Sequence, residues 1–349
     1  MAENGRTYFD RQEVREPGER ERSIFHALPG LIRHAIDNAP FFREQLAGVE
    51  PDSITSRSAL ARLPVVRKPV LGDRQRARRP FGGLTATSTG RLAHLYATSG
   101  TALGPVYHPE GGRSDYWRFA RAMFAAGFSR GDLVLNCFSY HLRPAGFMAD
   151  FGARALGCPV IPAGPDDPDG LVRMIAELAP VAFTGRPSAL MALLERAGRQ
   201  GGGVGSLKKA LLSGEPTSEA ERIALEQDHG IAAFQCYATA DLGLIAYEST
   251  ARGGLIVDES IIVEIVRPGT GEPVPPGKTG EVLVTAFNPD YPLIRFATGD
   301  LASVVPGESG CGRTNMRLKG PLGRVEEAAP KAASAGSGAG PGAGRRAGG

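Results

Sequence analysis

The sequence predicts an α/β fold in which parallel strands with crossover helices are followed by a smaller antiparallel β region. Three observations carry this. Short apolar runs alternate with helical patterns between residues 132 and 236. Past residue 250 the pattern turns to β-branched runs separated by Pro-Gly turns. The composition is that of an ordinary globular protein: 349 residues, 42% hydrophobic and 22% charged, enough to bury a core in one or two domains.

The elements follow in order. Residues 1–23 form a charged lead-in without apolar period. Ile24, Leu28, Leu31, Ile32 and Ile36 lie at helical spacing, and Asn38-Ala39-Pro40 ends that helix. Residues 50–90 mix apolar pieces with Pro and Arg and predict irregular chain with short helices. Strands are predicted at 132–138, 159–162, 181–184, 209–212 and 231–236, with helices at 145–156, 171–178 and 188–197 between them. Ser218 and Glu221 have the spacing of a capping box, which starts a helix running to Gly230. Such an alternation implies parallel strands, whose ligands bind beyond their carboxyl ends. The loops after Phe138, Leu212 and Cys236 therefore matter most. Antiparallel strands are predicted at 254–257, 261–266, 280–286 and 301–305. The core thus spans 24–250 and the β-rich region with the start of a hinge 251–327. Residues 328–349 are 15 parts Gly or Ala in 22, with nothing larger and apolar, and predict a disordered tail.

Composition excludes several function classes. Lys+Arg is 40 against Asp+Glu 37, so no basic surface argues for nucleic acid or an anionic membrane. No apolar run approaches the roughly 20 residues of a membrane helix, and the polar start has no secretory h-region. The expected location is the cytoplasm. Only six of the 40 basic residues are Lys; Arg, Gly, Ala and Pro all have GC-rich codons, which accounts for the bias. The four cysteines form no C-x-x-C pair, so neither a zinc ribbon nor a disulfide is expected. Cys137 and Cys236 sit in apolar runs as buried small hydrophobes.

The sharpest motif is Tyr96-Ala-Thr-Ser-Gly-Thr-Ala-Leu-Gly-Pro105. It gathers hydroxyls and backbone N–H groups in one loop, as a polyphosphate requires. No Gly-Lys-[Ser/Thr] follows, so it is not a Walker loop. Three further pieces lie at strand ends or in the β region: Ser213-Gly-Glu215, Tyr237-Ala-Thr-Ala-Asp241 and Thr298-Gly-Asp300.

In that order these motifs resemble the adenylate-forming acyl-CoA synthetases, most nearly the phenylacetate–CoA ligase family. The resemblance covers roughly residues 24–327. It extends to Ala39-Pro-Phe-Phe-Arg43, Leu63-Pro-Val-Val-Arg-Lys68, Phe138-Ser-Tyr-His141, Tyr291-Pro-Leu-Ile-Arg295 and Gly323-Arg324. It implies the large N-terminal domain of such an enzyme: ATP-dependent activation of an organic acid, expected to be aryl, to an acyl-adenylate, then to an acyl-CoA. By position it places Thr98, Ser99, Gly100 and Thr101 on the β- and γ-phosphates. Gly214 and Glu215 line the adenine site, Tyr237 stacks on the base, and Thr239 lies near the α-phosphate. Asp241 holds Mg²⁺, Asp300 takes the ribose hydroxyls, Arg324 follows at the hinge, and Phe138, Tyr140 and His141 shape the acyl pocket.

Departures from the family pattern limit what it implies. Leu103 replaces a loop Gly, and Asp241 stands for a Glu, as in a branch of the family carrying Ala-Thr-Ala-Asp. Beyond Arg324 the family continues into a mobile C-terminal domain that brings the adenylation lysine. Here Lys331 is the only lysine past the hinge, so the domain and the catalytic lysine are expected to be absent and turnover impaired. A truncated or frameshifted reading of a GC-rich gene accounts for that ending. The alternative is a catalytically silent nucleotide- or acyl-binding protein.

Overall fold

The computed structural model describes residues 7–98 and 104–325, so Ser99, Gly100, Thr101 and the tail from Ala328 lie outside the described residues. Helix α1 (Pro17–Asn38) begins earlier than its apolar spacing, because Glu16 caps the backbone N–H groups of Gly18 and Glu19 and Pro17 is preset for a helix start. It buries Phe25, Leu28, Leu31, Ile32 and Ala35, and Pro40 stops it. Short helices α2 (Pro40–Gln45), α3 (Arg57–Leu60) and α4 (Lys68–Ala77) follow, with strand β1 (Val66–Arg67) just before α4.

In the described part of the charged lead-in, charge pairing rather than apolar period places the chain. Glu13 has no exposed surface. Its carboxylate accepts from Tyr247 Oη at 2.8 Å and Arg313 Nε at 3.0 Å, and Arg121 Nη1 lies 3.2 Å away.

Strands β2 (Leu92–Thr98) and β3 (Val106–Gly111) form a hairpin of their own that the sequence reading missed. Helix α5 (Phe119–Ala125) then leads into the alternating region. There β4 (Val134–Asn136), α6 (Ala145–Ala155), β5 (Val160–Pro162), α7 (Pro168–Leu178), β6 (Ala182–Gly185), α8 (Pro187–Gln200), β7 (Lys209–Leu212), α9 (Glu219–Ile223) and β8 (Ala232–Thr239) follow the predicted order. The Ser218–Glu221 capping box is present, and its helix continues through one wider turn to Asp228. Strands β9 (Gly243–Tyr247), β10 (Leu255–Val257), β11 (Ile261–Val266), β12 (Gly280–Ala286), β13 (Phe296–Val305) and β14 (Arg317–Lys319) complete the chain. The last predicted strand thus begins at Phe296, and Thr298-Gly-Asp300 lies inside it rather than in a turn.

Twelve strands form one sheet, in the order β11-β12-β13-β14-β10-β9-β8-β7-β6-β4-β5, with β1 joined in parallel to β13. The segment from β8 to β5 is parallel; β9 onward is antiparallel. Strand order reverses about β4, since β5 lies on one side of it and β6 on the other. That switch is where α/β sheets open a crevice at their carboxyl ends. Helices α5 and α6 pack one face of the parallel strands, α7 and α8 the other, and α1 covers the β11–β13 region. No helix among the described residues is long and apolar enough to cross a membrane.

Candidate active site

A cavity of about 240 Å³ opens beyond the carboxyl ends of the parallel strands. Its walls include the apolar Phe119, Phe138 and Met148 and the polar or small Lys68, Thr98, Ser213, Gly214 and Thr239. Six chain segments meet here: β4, β7 and β8 end at this edge, and Lys68 at the start of α4, Thr98 at the end of β2 and Phe119 at the start of α5 line it too.

The β7 end turns through Gly214 at φ +90°, a backbone region that side-chained residues rarely adopt. Ser213 Oγ donates to Cys236 O at 2.9 Å and ties that turn to β8. Glu215 does not line the cavity; its carboxylate accepts from Ser188 N at 2.7 Å, at the start of α8. Thr239 lines the cavity and accepts from Leu242 N at 3.2 Å.

Asp241 follows two residues on, with only 7% of its surface exposed. Lys68 Nζ lies 3.2 Å from its Oδ2, and His108 Nε2 lies 3.5 Å from its Oδ1. That Oδ1 has no hydrogen-bond partner. His108 in turn is 3.0 Å from Thr98 Oγ1, the last described residue before the hydroxyl-rich loop. Burial pushes the His108 pKa down to about 4 against the pull of Asp241, so the ring is neutral near pH 7.

A second cluster lies between β8 and β13. Tyr237 Oη donates to Asp300 Oδ2 at 2.7 Å, and Arg324 Nη1 donates to Asp300 Oδ1 at 2.6 Å. Burial, then the Asp300 charge, hold the Tyr237 phenol well above its usual range, so it remains a donor. Gly299 has φ +78°, and a Cβ there would meet the Arg324 guanidinium at 3.0 Å.

Of the expected acyl-pocket residues, Phe138 reaches the cavity. Tyr140 turns away, its hydroxyl accepting from Asn136 Nδ2 at 2.7 Å and donating to Asp150 at 3.0 Å. His141 is exposed and outside the cavity lining. Lys68, His108, Phe119 and Met148 went unassigned in the sequence reading. Lys68 and Asp241 are 173 positions apart, so no local spacing links them, and His108 is buried on β3 where four successive residues are buried and no alternation marks it out.

Among the described residues no three His, Cys, Asp or Glu groups gather to hold a metal. All four cysteines are free. Cys137 and Cys236 are buried as expected, and burial pushes both thiols up to about 12.

Residues 115–287 match the family model described as AMP-binding enzyme. The chain is 30% identical over 324 residues to the phenylacetate–coenzyme A ligase of Thermus thermophilus, covering 89% of this chain and 72% of that one. It is 32% identical over 308 residues to the phenylacetate–coenzyme A ligase of Pseudomonas putida, covering 85% and 68%. An open conformation of 2-hydroxyisobutyryl-CoA ligase, in complex with 2-HIB-AMP and CoA, superposes with a TM-score of 0.86 at 28% identity, over 94% of this chain and 80% of that one. The chain therefore belongs to the adenylate-forming acyl-CoA ligases, in the phenylacetate–CoA ligase family, and is an acid–thiol ligase by class.

Proposed function

We propose that this chain activates an aryl carboxylic acid with ATP and passes the acyl group to coenzyme A. The observation that carries the reading is the cavity itself: aromatic and apolar walls share it with a lysine and two threonines, and that lysine pairs with the buried Asp241 carboxylate. An aromatic ring fits against Phe119 and Phe138 by edge or offset contacts. The acid's carboxylate then faces Thr239 and Lys68.

In the first step a carboxylate oxygen attacks the α-phosphorus of ATP, a P–O bond forms, and pyrophosphate leaves. In the second, the thiol of coenzyme A adds to the carbonyl carbon, loses its proton, and displaces AMP. The protein's part is to position and to offset charge. Thr98, with Ser99, Gly100 and Thr101 beyond it, is assigned to the β- and γ-phosphates, and Thr239 to the α-phosphate. Lys68 brings positive charge to the same cavity. Gly214 and Glu215 flank the adenine site, Tyr237 is assigned to the base, and Asp300 with Arg324 to the ribose. Phe138 shapes the acyl pocket, which Tyr140 and His141 do not line.

Magnesium fits Asp241. The ion takes one or two carboxylates and completes its shell with phosphate oxygens and water, and Asp241 offers a buried Oδ1 with no hydrogen-bond partner. Bound there, the ion would offset phosphate charge. Residence in the cytoplasm, where ATP and coenzyme A are at hand, belongs to the same proposal.

The test is pyrophosphate release from ATP with a panel of arylacetic, benzoic and short branched acids. Release with aryl acids is expected. Release with the short branched acids alone would overturn the aryl assignment. ATP binding by calorimetry without release from any acid would replace the ligase reading with a nucleotide-binding protein, and no ATP binding would overturn both.

A further inference from the structure

The hairpin that carries the hydroxyl-rich loop is not laddered to the main sheet: β2 and β3 pair only with each other among the described strands. No run of strand hydrogen bonds therefore sets the spacing between Thr98, at the hairpin's end, and Asp241, after β8. A side chain bridges the two. His108 on β3 has no exposed surface, and its Nε2 sits 3.0 Å from Thr98 Oγ1 and 3.5 Å from Asp241 Oδ1.

The proton can be placed by exclusion. The Thr98 hydroxyl points its proton at Val106 O, 3.4 Å away, which leaves Oγ1 as an acceptor. A carboxylate oxygen only accepts. Both neighbours of Nε2 are thus acceptors, so Nε2 carries the hydrogen, a tautomer assigned from partners rather than seen. Nδ1, buried and without a partner, is the bare nitrogen. Lys68 Nζ takes Asp241 from the other oxygen, and the Tyr291 ring stands edge-on to the imidazole at 6.3 Å.

We propose that His108 is a positioning residue for nucleotide binding: its single Nε2–H is held by Thr98 Oγ1 at 3.0 Å and faces Asp241 Oδ1 at 3.5 Å without bonding to it, and the ring between them sets the distance from Thr98 to the carboxylate assigned to the metal. His108 itself touches neither substrate nor ion. This inference rests on the ligase reading above.

Three variants separate this role from simple packing. His108→Gln can place an amide N–H near the Nε2 position. His108→Asn reaches only as far as Nδ1, and His108→Phe fills the space without a donor. Each is measured for unfolding midpoint, for Mn²⁺ binding to the enzyme–ATP complex by electron paramagnetic resonance, and for KM toward MgATP and toward the acid. The Asn and Phe variants should lose roughly 10–100-fold in Mn²⁺ affinity and KM for MgATP, the range for removing a residue that orients a ligand. KM for the acid should be unchanged, and Gln should recover most of the loss. Equal losses in all three, wild-type Mn²⁺ affinity in Asn and Phe, or losses that only follow the unfolding midpoint would each overturn the proposal. A wild-type protein that does not bind ATP would overturn the ligase reading itself, which the variant comparison leaves standing.

Discussion

Tyr237 and Asp300 touch across a sheet that separates them by four strand steps. The hydroxyl donates to the carboxylate at 2.7 Å, yet Tyr237 lies on β8 and Asp300 on β13, with β9, β10 and β14 between. At about 4.8 Å per step a flat sheet would hold them roughly 19 Å apart. The antiparallel part must therefore curl back over the end of the parallel part, and that curl brings the two halves of the assigned nucleotide site together. Tyr237→Phe removes the donor and leaves a buried carboxylate oxygen unsatisfied. The expected cost is about 1–3 kcal/mol in urea unfolding, with weaker ATP binding by calorimetry. Unchanged values in both would show that the contact does not hold the curl.

Lys68 and Asp241 form a second joint, between the start of α4 and the end of β8. The carboxylate is 6% exposed and the ammonium 26%. Lys68→Met should destabilise by removing the cation from a buried anion. Adding Asp241→Asn to Lys68→Met should restore much of that loss, because the charge left unpaired is then gone. A double-mutant cycle in denaturant measures the coupling, and strict additivity would contradict it.

The N-terminal segment is held by Glu13, whose fully buried carboxylate is bonded to Tyr247 and Arg313 and lies against Arg121. Glu13→Ala strands two guanidiniums at once. A loss on the order of 3–5 kcal/mol is expected in chemical denaturation. A change of about 0.5 kcal/mol, as for an ordinary surface site, would mean the segment is not anchored there.

His108 predicts a pH dependence with a defined sign. Its pKa falls from 6.5 in the unfolded chain to about 4 in the fold. Between those values the unfolded chain binds the extra proton, so stability is full above pH 6.5 and is lost as pH falls toward 4. The loss is on the order of 3 kcal/mol at most. Urea unfolding at pH 4.5 and pH 7 should show it in the wild type and a smaller difference in His108→Gln. The same difference in both proteins would contradict the assignment.

Much of this architecture was legible because strong local patterns carry it. The β11 and β12 bounds follow from runs rich in β-branched residues, and the capping box at Ser218 from one short spacing. Within the contiguous motif from Tyr237 to Asp241, Thr239 lines the cavity. The site was not legible where geometry comes from folding distant segments together. Lys68 has no local partner, and Tyr140 sits one turn from Phe138 yet is drawn off by Asn136 and Asp150. The anchoring of the charged N-terminus was not legible for the same reason: Glu13 has no apolar period, and its arginine partners lie 108 to 300 positions away. The β2–β3 hairpin went unseen because the glycine and hydroxyl residues of its loop dominate the segment.

The central claim is that the acid is activated as its adenylate, and isotope transfer tests it most directly. The protein is incubated with ATP, Mg²⁺, coenzyme A and phenylacetate labelled with ¹⁸O in the carboxylate. The AMP released is examined by mass spectrometry. Attack of the carboxylate on the α-phosphorus predicts one ¹⁸O in the AMP phosphate. Label appearing in inorganic phosphate alongside ADP, or ATP cleaved to AMP with no label in it, would contradict the account.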